Sequence, residues 1–138
     1  MAARDIFHQA VRKALEKEEW TITDDPLLVQ FGGVDLYIDL GAERLLGAEK
    51  DGERIAVEVK SFLSDSPITD FHAALGQFLN YRFALSQDEP DRILYLAVPL
   101  EAYKTFFALP FTQGIVKNHQ LNLLVYNADL EEIAQWIS

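Results

Sequence analysis

The sequence predicts a mixed α/β domain in which a central sheet is flanked by helices. Three observations support this class: apolar residues recur at helical spacing in two long segments, apolar and charged residues alternate in others, and the run 93–98 is apolar throughout. The chain has 138 residues, of which 49% are hydrophobic and 25% charged. This length and composition are those of one globular domain with one core, which we place at residues 1–138.

The first predicted element is a helix over Asp5–Glu19. Its apolar residues recur at helical spacing, and most of its charged residues fall on the opposite face. A short β-like run follows at Trp20–Thr23, and Asp24-Asp25-Pro26 has the composition of a turn. The Gly32-Gly33 pair then breaks the chain before the next element.

Three strands are predicted in the next segment. Val34–Leu40 alternates apolar and polar residues, as a half-buried strand does. A second strand covers Glu43–Glu49 and a third covers Arg54–Lys60. The Asp51-Gly52 pair between them is typical of a two-residue hairpin loop, so we predict that the second and third strands pair antiparallel.

The second half of the chain is predicted to return to helices and strands in alternation. A helix begins at a capping residue, Thr69 or Asp70, and ends near Ser86. The apolar segment Arg92–Val98 is typical of a buried strand. The remaining predicted elements are a short helix at Glu101–Phe107, a strand at Leu121–Tyr126 and a closing helix at Asp129–Ile137.

The predicted hairpin determines which charged side chains share a face of the sheet. With a two-residue loop, Leu45 lies opposite Glu58 and Glu43 lies opposite Lys60. Directly opposed residues of an antiparallel pair share a face, so Glu43, Glu58 and Lys60 are expected together at the open end of the hairpin. Asp39 lies just beyond, on the segment leading into it.

Several carboxylates and one lysine in a small volume have the composition of a metal-dependent phosphodiesterase site. Mg²⁺ takes oxygen ligands, usually one or two carboxylates with water and phosphate oxygens, and Mn²⁺ is its usual substitute. A neighbouring lysine stabilises developing negative charge. Gln77 and Tyr81, at i and i+4 of the second helix, present two more hydrogen-bonding groups on one face. The candidate catalytic residues are Asp39, Glu58, Lys60, Gln77 and Tyr81, and the candidate metal ligands are Asp39, Glu43 and Glu58.

Each of these features is common by itself. A Glu-x-Lys on a strand is more often a solvated ion pair, and Gln77 and Tyr81 also suit a surface amide and a core tyrosine. Their order along the chain is more specific. An acid, a hairpin, Glu-x-Lys, a loop, a helix with Gln-x-x-x-Tyr and a buried strand follow one another.

This order resembles the αβββαβ core of the PD-(D/E)XK nuclease superfamily. A closer resemblance is carried by the stretches Trp20-Thr21-Ile22-Thr23, Asp39-Leu40-Gly41-Ala42-Glu43, Ala48-Glu49-Lys50-Asp51-Gly52, Ile55-Ala56-Val57-Glu58-Val59-Lys60-Ser61-Phe62 and Glu89-Pro90-Asp91-Arg92 running on to Val98-Pro99. In these stretches the chain is similar to the XisH-like family, the fdxN element excision controlling factors. The resemblance implies a restriction-endonuclease-like fold, a role in programmed excision of a DNA element, and an XisI-like companion protein beside a recombinase.

Three acids compete for the first metal position of such a site. The superfamily's proline is absent before both Asp35 and Asp39, but that proline is not a ligand. Asp39, 19 residues before Glu58, is our first choice. Glu43, 15 residues before Glu58 and on the correct face by the predicted register, is second, and Asp35 is third.

Charge and composition limit the partners. The chain has 12 basic and 22 acidic residues, a net charge of −10, which argues against tight DNA binding by a monomer. It has no cysteine, so disulfides and thiol nucleophiles are excluded, and a reducing cytoplasm is the expected location. No apolar run approaches the length of a membrane span, so no membrane association is expected.

Two functions of different classes follow, with a plain interaction domain as a third. One is a metal-dependent endonuclease acting on DNA, and the other is a non-catalytic accessory factor that keeps the fold and binds a companion protein or recombinase. We also expect an oligomer, most simply a homodimer. The aromatic-rich stretch that suits either the dimer contact or the core consists of Phe106, Phe107, Leu109 and Phe111.

Overall fold

The structure, a computed structural model, describes residues 3–44 and 52–138 and has a mixed α/β architecture. The mixed α/β class predicted from the sequence is confirmed. The elements are α1 (Ala3–Lys17), β1 (Thr21–Asp24), β2 (Leu27–Phe31), β3 (Val34–Ile38), β4 (Leu40–Arg44), β5 (Glu53–Val59), α2 (Pro67–Asp88), β6 (Arg92–Pro99), α3 (Leu100–Lys104), a 3₁₀ turn (Phe106–Ala108), α4 (Pro110–Asn118), β7 (Leu123–Asn127) and β8 (Glu132–Ile137).

Within the described residues the strands form a larger and a smaller sheet. The larger sheet has the order β1-β4-β5-β6-β7-β8, and the smaller one pairs β2 with β3. The central strands β5, β6 and β7 run parallel to one another, while β1, β4 and β8 join antiparallel at the sides. Both connections between the parallel strands contain helices, as parallel crossovers require.

Two apolar layers cover the two faces of the larger sheet. On one face, α2 packs Phe71 and Phe78 against Ala56 of β5 and its neighbours on β6, and Ile38 of the smaller sheet joins this layer. On the other face, α1 packs against a cluster that includes Val57. Because side chains alternate along a strand, Glu58 falls on the same face as Ala56, the face that α2 covers.

Helix α2 begins earlier than predicted. Ser66 is the N-cap, its side chain accepts a hydrogen bond from the Thr69 N–H, and Pro67 occupies the first helical turn. The prediction of a cap at Thr69 or Asp70 was wrong because proline is well suited to the first position of a helix, where its missing N–H has no partner to lose.

The predicted register of the hairpin was also wrong. Glu43 lies opposite Arg54, not opposite Lys60, and Arg44 lies opposite Glu53. This register places the turn between β4 and β5 elsewhere than at Asp51-Gly52. Leu45 and Asp51 lie outside the described residues. The buried pairing of Leu40, Ala42, Ile55 and Val57 decides the register, since apolar burial across the strands outweighs a local turn preference.

The three-strand meander was wrong in its first strand. Strand β3 pairs with β2, which was not predicted, and not with β4. The chain bends at Asp39, so the predicted continuous strand Val34–Leu40 is divided between two sheets. Strand β4 instead pairs with β1, the β-like run that the sequence did predict.

The closing helix predicted at Asp129–Ile137 is a strand. Strand β8 runs antiparallel to β7, and Trp136 packs its ring 5.0 Å from Tyr95 and 5.8 Å from Trp20. Helix α4 was not predicted, and the expected helix at Glu101–Phe107 is divided into α3 and the 3₁₀ turn. A short apolar run does not by itself distinguish a helix from a strand. Here residues 132–137 form a strand, which pairs with the edge of β7.

The aromatic-rich stretch after α3 is divided between the core and the surface. Phe107 is buried, and Phe106 packs beside it against Phe71. Leu109 is 48% exposed and Phe111 is 56% exposed. Among the helices that the structure describes, none is both long enough and apolar enough to cross a membrane.

We expect Phe78→Ala to lower the free energy of unfolding by about 3–5 kcal/mol, because it leaves a cavity in the layer under α2. Phe78 is fully buried in that layer. The matched control is Phe83→Ala on the same helix, since Phe83 is 60% exposed and contacts Phe31 through its ring edge. Its expected cost is about 1 kcal/mol or less. Urea denaturation measures both, and equal losses would contradict the assigned packing.

Candidate functional site

The candidate site lies where Asp39, at the bend between β3 and β4, meets the end of β5. The Asp39 N–H donates to Oε1 of Glu58 at 3.2 Å. In return, the Val59 N–H donates to Oδ2 of Asp39 at 2.8 Å. These two hydrogen bonds hold the carboxyl groups of Asp39 and Glu58 beside each other.

Lys60 continues from β5 and completes the cluster. Its Nζ lies 3.4 Å from Oε2 of Glu58. The Lys60 backbone is fixed on both sides, because its N–H donates to the Ala97 carbonyl at 2.9 Å and its carbonyl accepts from the Tyr126 hydroxyl at 2.8 Å. The fixed backbone thus places the Lys60 side chain beside the two carboxyl groups.

Burial and charge make Glu58 an unusual carboxyl group. Its side chain is 7% exposed. Burial, and after it the neighbouring Asp39 carboxylate, raise the pKa of Glu58 to about 7, although Lys60 and the Asp39 N–H act in the opposite direction. A buried carboxylate next to a second carboxylate is stabilised by any cation that reaches both.

A small cleft of about 90 Å³ opens beside the cluster. It is lined by Phe7, His8, Asp39, Val59, Lys60 and Ser61. Such a volume has room for several water molecules, since the site of one water needs about 10–15 Å³ on this measure. Asp39 and Lys60 therefore face a space that solvent or a small ligand group can enter.

Glu43 and Asp35, the other two candidate acids, are engaged elsewhere. Glu43 accepts a hydrogen bond from Arg54 Nε at 3.0 Å, as the corrected register requires. Asp35 lies on the smaller sheet and accepts from the Gln30 side chain at 3.1 Å. Among the described residues no group of three or more His, Cys, Asp or Glu side chains is arranged to hold a metal ion.

Gln77 and Tyr81 lie on α2, the helix that covers the Glu58 face of the sheet. Tyr81 packs against the apolar layer under α2. Oε1 of Gln77 is buried and has no hydrogen-bond partner among the described residues. Contact of these two side chains with Asp39, Glu58 and Lys60 stays a prediction.

Sequence reasoning interpreted His8 as a surface or satisfied histidine and Asp25 as a turn residue, and gave neither a role in the site. His8 lines the cleft, and its Nε2 lies 2.8 Å from Oδ1 of Asp25, whose other oxygen accepts from Arg12. The two residues are 17 positions apart, on a helix and in a turn, so no spacing pattern connects them. His8 is not spaced from another histidine as metal ligands are. The packing of α1 against the sheet brings it to the cleft that Asp39 also lines.

Fold and site together define a class: a small α/β protein with paired carboxyl groups and a lysine at the end of a central strand. The chain belongs to the XisH family, since the family model described as XisH protein matches residues 1–134.

Two solved structures are similar over nearly the whole chain. An XisH family protein from Nostoc punctiforme PCC 73102 is 52% identical, with a TM-score of 0.88 over 97% of this chain and 100% of that one. A fdxN element excision controlling factor protein from Anabaena variabilis is 54% identical, with a TM-score of 0.89 over 98% of this chain and 100% of that one. No curated protein matches the chain.

The raised pKa of Glu58 predicts a stability that falls as the pH rises. Between the ordinary carboxyl value of 4.5 and about 7, native Glu58 keeps a proton that the unfolded chain has lost. Raising the pH through this window therefore favours unfolding, by about 3 kcal/mol in total. In metal-free buffer, Glu58→Gln should be more stable than the parent above about pH 7, and the difference should shrink toward the acid end of the window.

Urea denaturation across this pH range measures the effect. Glu101→Gln, a change at an exposed residue on α3, is the matched control and should follow the pH dependence of the parent protein. A Glu58→Gln variant whose stability keeps the parent's slope across the window would contradict the assignment.

Proposed function

We propose that the protein is a Mg²⁺-dependent endonuclease-like factor that cleaves DNA phosphodiester bonds during excision of a DNA element. The observation that carries this proposal is the convergence of Asp39, Glu58 and Lys60 beside an open cleft. The interpretation of the αβββαβ order of elements as a nuclease-like core is part of the same proposal.

The residues present fit a divalent cation. Mg²⁺ is usually held by one or two carboxylates, with water and substrate phosphate oxygens filling its other positions. Asp39 and Glu58 supply two such carboxyl groups, and one of them is buried with a raised pKa. A cation there offsets the repulsion between them, which Lys60 by itself does only in part. When bound, the metal would neutralise phosphate charge and lower the pKa of a coordinated water.

The chain's own residues would divide the remaining work. Asp39 and Glu58 would hold the cation, each oriented by one backbone N–H. Lys60, whose backbone is fixed by Ala97 and Tyr126, would place its ammonium against a phosphate oxygen and stabilise the negative charge that develops there. The cleft between them would admit the phosphate and the attacking water.

The biological setting is proposed from the relatives. The structure from Anabaena variabilis is that of a fdxN element excision controlling factor protein. Its 54% identity over 98% of this chain supports the same role here, which is action on a DNA element. The net charge of −10 supports action together with a partner that contributes basic surface, for which an XisI-like companion is our candidate.

Divalent metal should stabilise the native protein if this proposal holds. A ligand that binds only the folded state adds about 2.7 kcal/mol at 100 times its Kd. We expect millimolar Mg²⁺ or Mn²⁺ to raise the melting temperature of the parent protein, and Glu58→Gln to abolish the rise. Glu43→Gln is the matched control, because Glu43 is engaged by Arg54 and should leave the rise intact. If neither metal changes the melting temperature of the parent protein, the enzyme proposal is overturned.

Lys60→Ala separates metal binding from chemistry. This variant should keep the metal-induced rise in melting temperature and lose DNA cleavage by about 100-fold or more, the size of effect typical for a lost electrostatic group. Cleavage of supercoiled and linear DNA in Mn²⁺, with and without a companion protein, provides the measurement. Full activity of Lys60→Ala would remove Lys60 from the proposed site.

A second candidate function is a non-catalytic accessory factor, and the acidic net charge favours it. Such a factor keeps the fold and binds a companion protein, a recombinase or a second copy of itself. The exposed side chains of Leu109 and Phe111 are the part of the aromatic-rich stretch open to such a contact. The metal-independent melting temperature described above, together with a dimer or complex seen by light scattering, would establish this function over the first.

A further inference from the structure

The cleft beside Asp39 and Lys60 has a wall that comes from the N-terminal helix. His8 of α1 lines it, and His8 is held by Asp25 of the turn after β1, Nε2 to Oδ1 at 2.8 Å. Arg12, one helical turn after His8, donates to the other oxygen of Asp25. Asp25 is therefore fixed between two side chains of α1.

The chemistry of Asp25 determines the tautomer of His8. An ionised carboxylate only accepts hydrogen bonds, so Nε2 of His8 must be the donor in this pair. In the neutral imidazole the other nitrogen, Nδ1, then carries the lone pair. A carboxylate behind an imidazole orients the ring and stabilises the imidazolium that forms when the free nitrogen takes a proton.

We propose that His8, oriented by Asp25, is the general base that takes a proton from the attacking water at the Asp39 and Lys60 cleft. This inference rests on the proposed function and adds a residue pair that the paired-carboxylate site by itself does not include. The imidazole is hydrogen-bonded to Asp25, which also accepts from Arg12, and His8 lines the cleft together with Asp39 and Lys60.

The chemical step is a hydrolysis. The water O–H bond breaks and its proton passes to Nδ1 of His8, while the water oxygen forms a bond to phosphorus. The bond from phosphorus to the leaving ester oxygen breaks, and its electron pair goes to that oxygen, which takes a proton from solvent. His8 then returns its proton to solvent. No oxidant or further reactant is needed.

The structure supplies a reason for each partner. Lys60 offers a charge to the phosphate, and the two carboxyl groups of Asp39 and Glu58 offer a place for a cation, but a carboxylate bound to a cation is a poor proton acceptor. Among the residues that line the cleft, His8 supplies an imidazole, whose unprotonated form can accept a proton from a water molecule. Asp25 does not line the cleft and acts through His8, which makes it a positioning residue.

The test uses single-turnover cleavage of a DNA duplex in Mn²⁺ by the full-length chain. His8→Gln keeps an amide that can donate to Asp25 but has no basic nitrogen, and general-base removal typically costs about 100-fold or more in rate. Asp25→Asn should give a smaller loss, since the ring is misoriented and not removed. His72→Gln is the matched control, because His72 is exposed on α2.

Two further readouts separate a base from a structural residue. Exogenous imidazoles should rescue His8→Ala, with rates that increase with the basicity of the added imidazole, which a mere filler of space would not show. The rise in melting temperature with Mn²⁺ should be unchanged in His8→Gln and Asp25→Asn. Loss of that rise would overturn the base assignment, since His8 would then act on the metal.

The outcomes distinguish this inference from the proposal it rests on. Cleavage by the parent protein, a loss of about 100-fold or more in His8→Gln, and basicity-dependent rescue would support both. Cleavage by the parent protein with full activity in His8→Gln would overturn the role of His8 and leave the proposed function standing. Absence of cleavage and of any metal-induced stabilisation in the parent protein would overturn both together.

Discussion

The exchange of hydrogen bonds between Asp39 and the end of β5 is the constraint on which the rest of the site depends. The Asp39 N–H binds Glu58, and the Asp39 carboxylate binds the N–H of Val59. Asp39 is also the residue at which the chain leaves the smaller sheet and enters the larger one. The same two bonds thus set the bend, connect the sheets and place two carboxyl groups side by side.

This arrangement is unfavourable for an isolated native state. Burial and the Asp39 charge raise the pKa of Glu58 to about 7, so near neutral pH the ionised form costs stability. The surrounding structure maintains it nonetheless, because Lys60 is fixed by β6 and by Tyr126 of β7, and Glu58 lies between packed strands. A locally unfavourable arrangement that the surrounding packing maintains is typical of functional sites.

The proposed function requires an acidic chain to accept a phosphate substrate, and the proposed cation would make this compatible. Lys60 lies at the cleft with a carboxyl pair that a cation would convert from a repulsive to an attractive surface. The net charge of −10 remains, and under the proposed function a partner with a basic surface would offset it.

The sequence by itself determined the α/β class, the approximate positions of α1, β5, α2 and β6, and the common face of Glu58 and Lys60. These follow from the periodicity of apolar and polar residues within single segments, which is visible without knowledge of the rest of the chain. The six-residue error in register left that face unchanged because side chains alternate with a period of two, but it moved Glu43 to Arg54. Only the tertiary structure decided this register, the division of Val34–Leu40 at Asp39, the strand β8 and the meeting of His8 with Asp25. The physical reason is that each depends on burial between segments distant in sequence, where packing energy exceeds local turn and helix preferences.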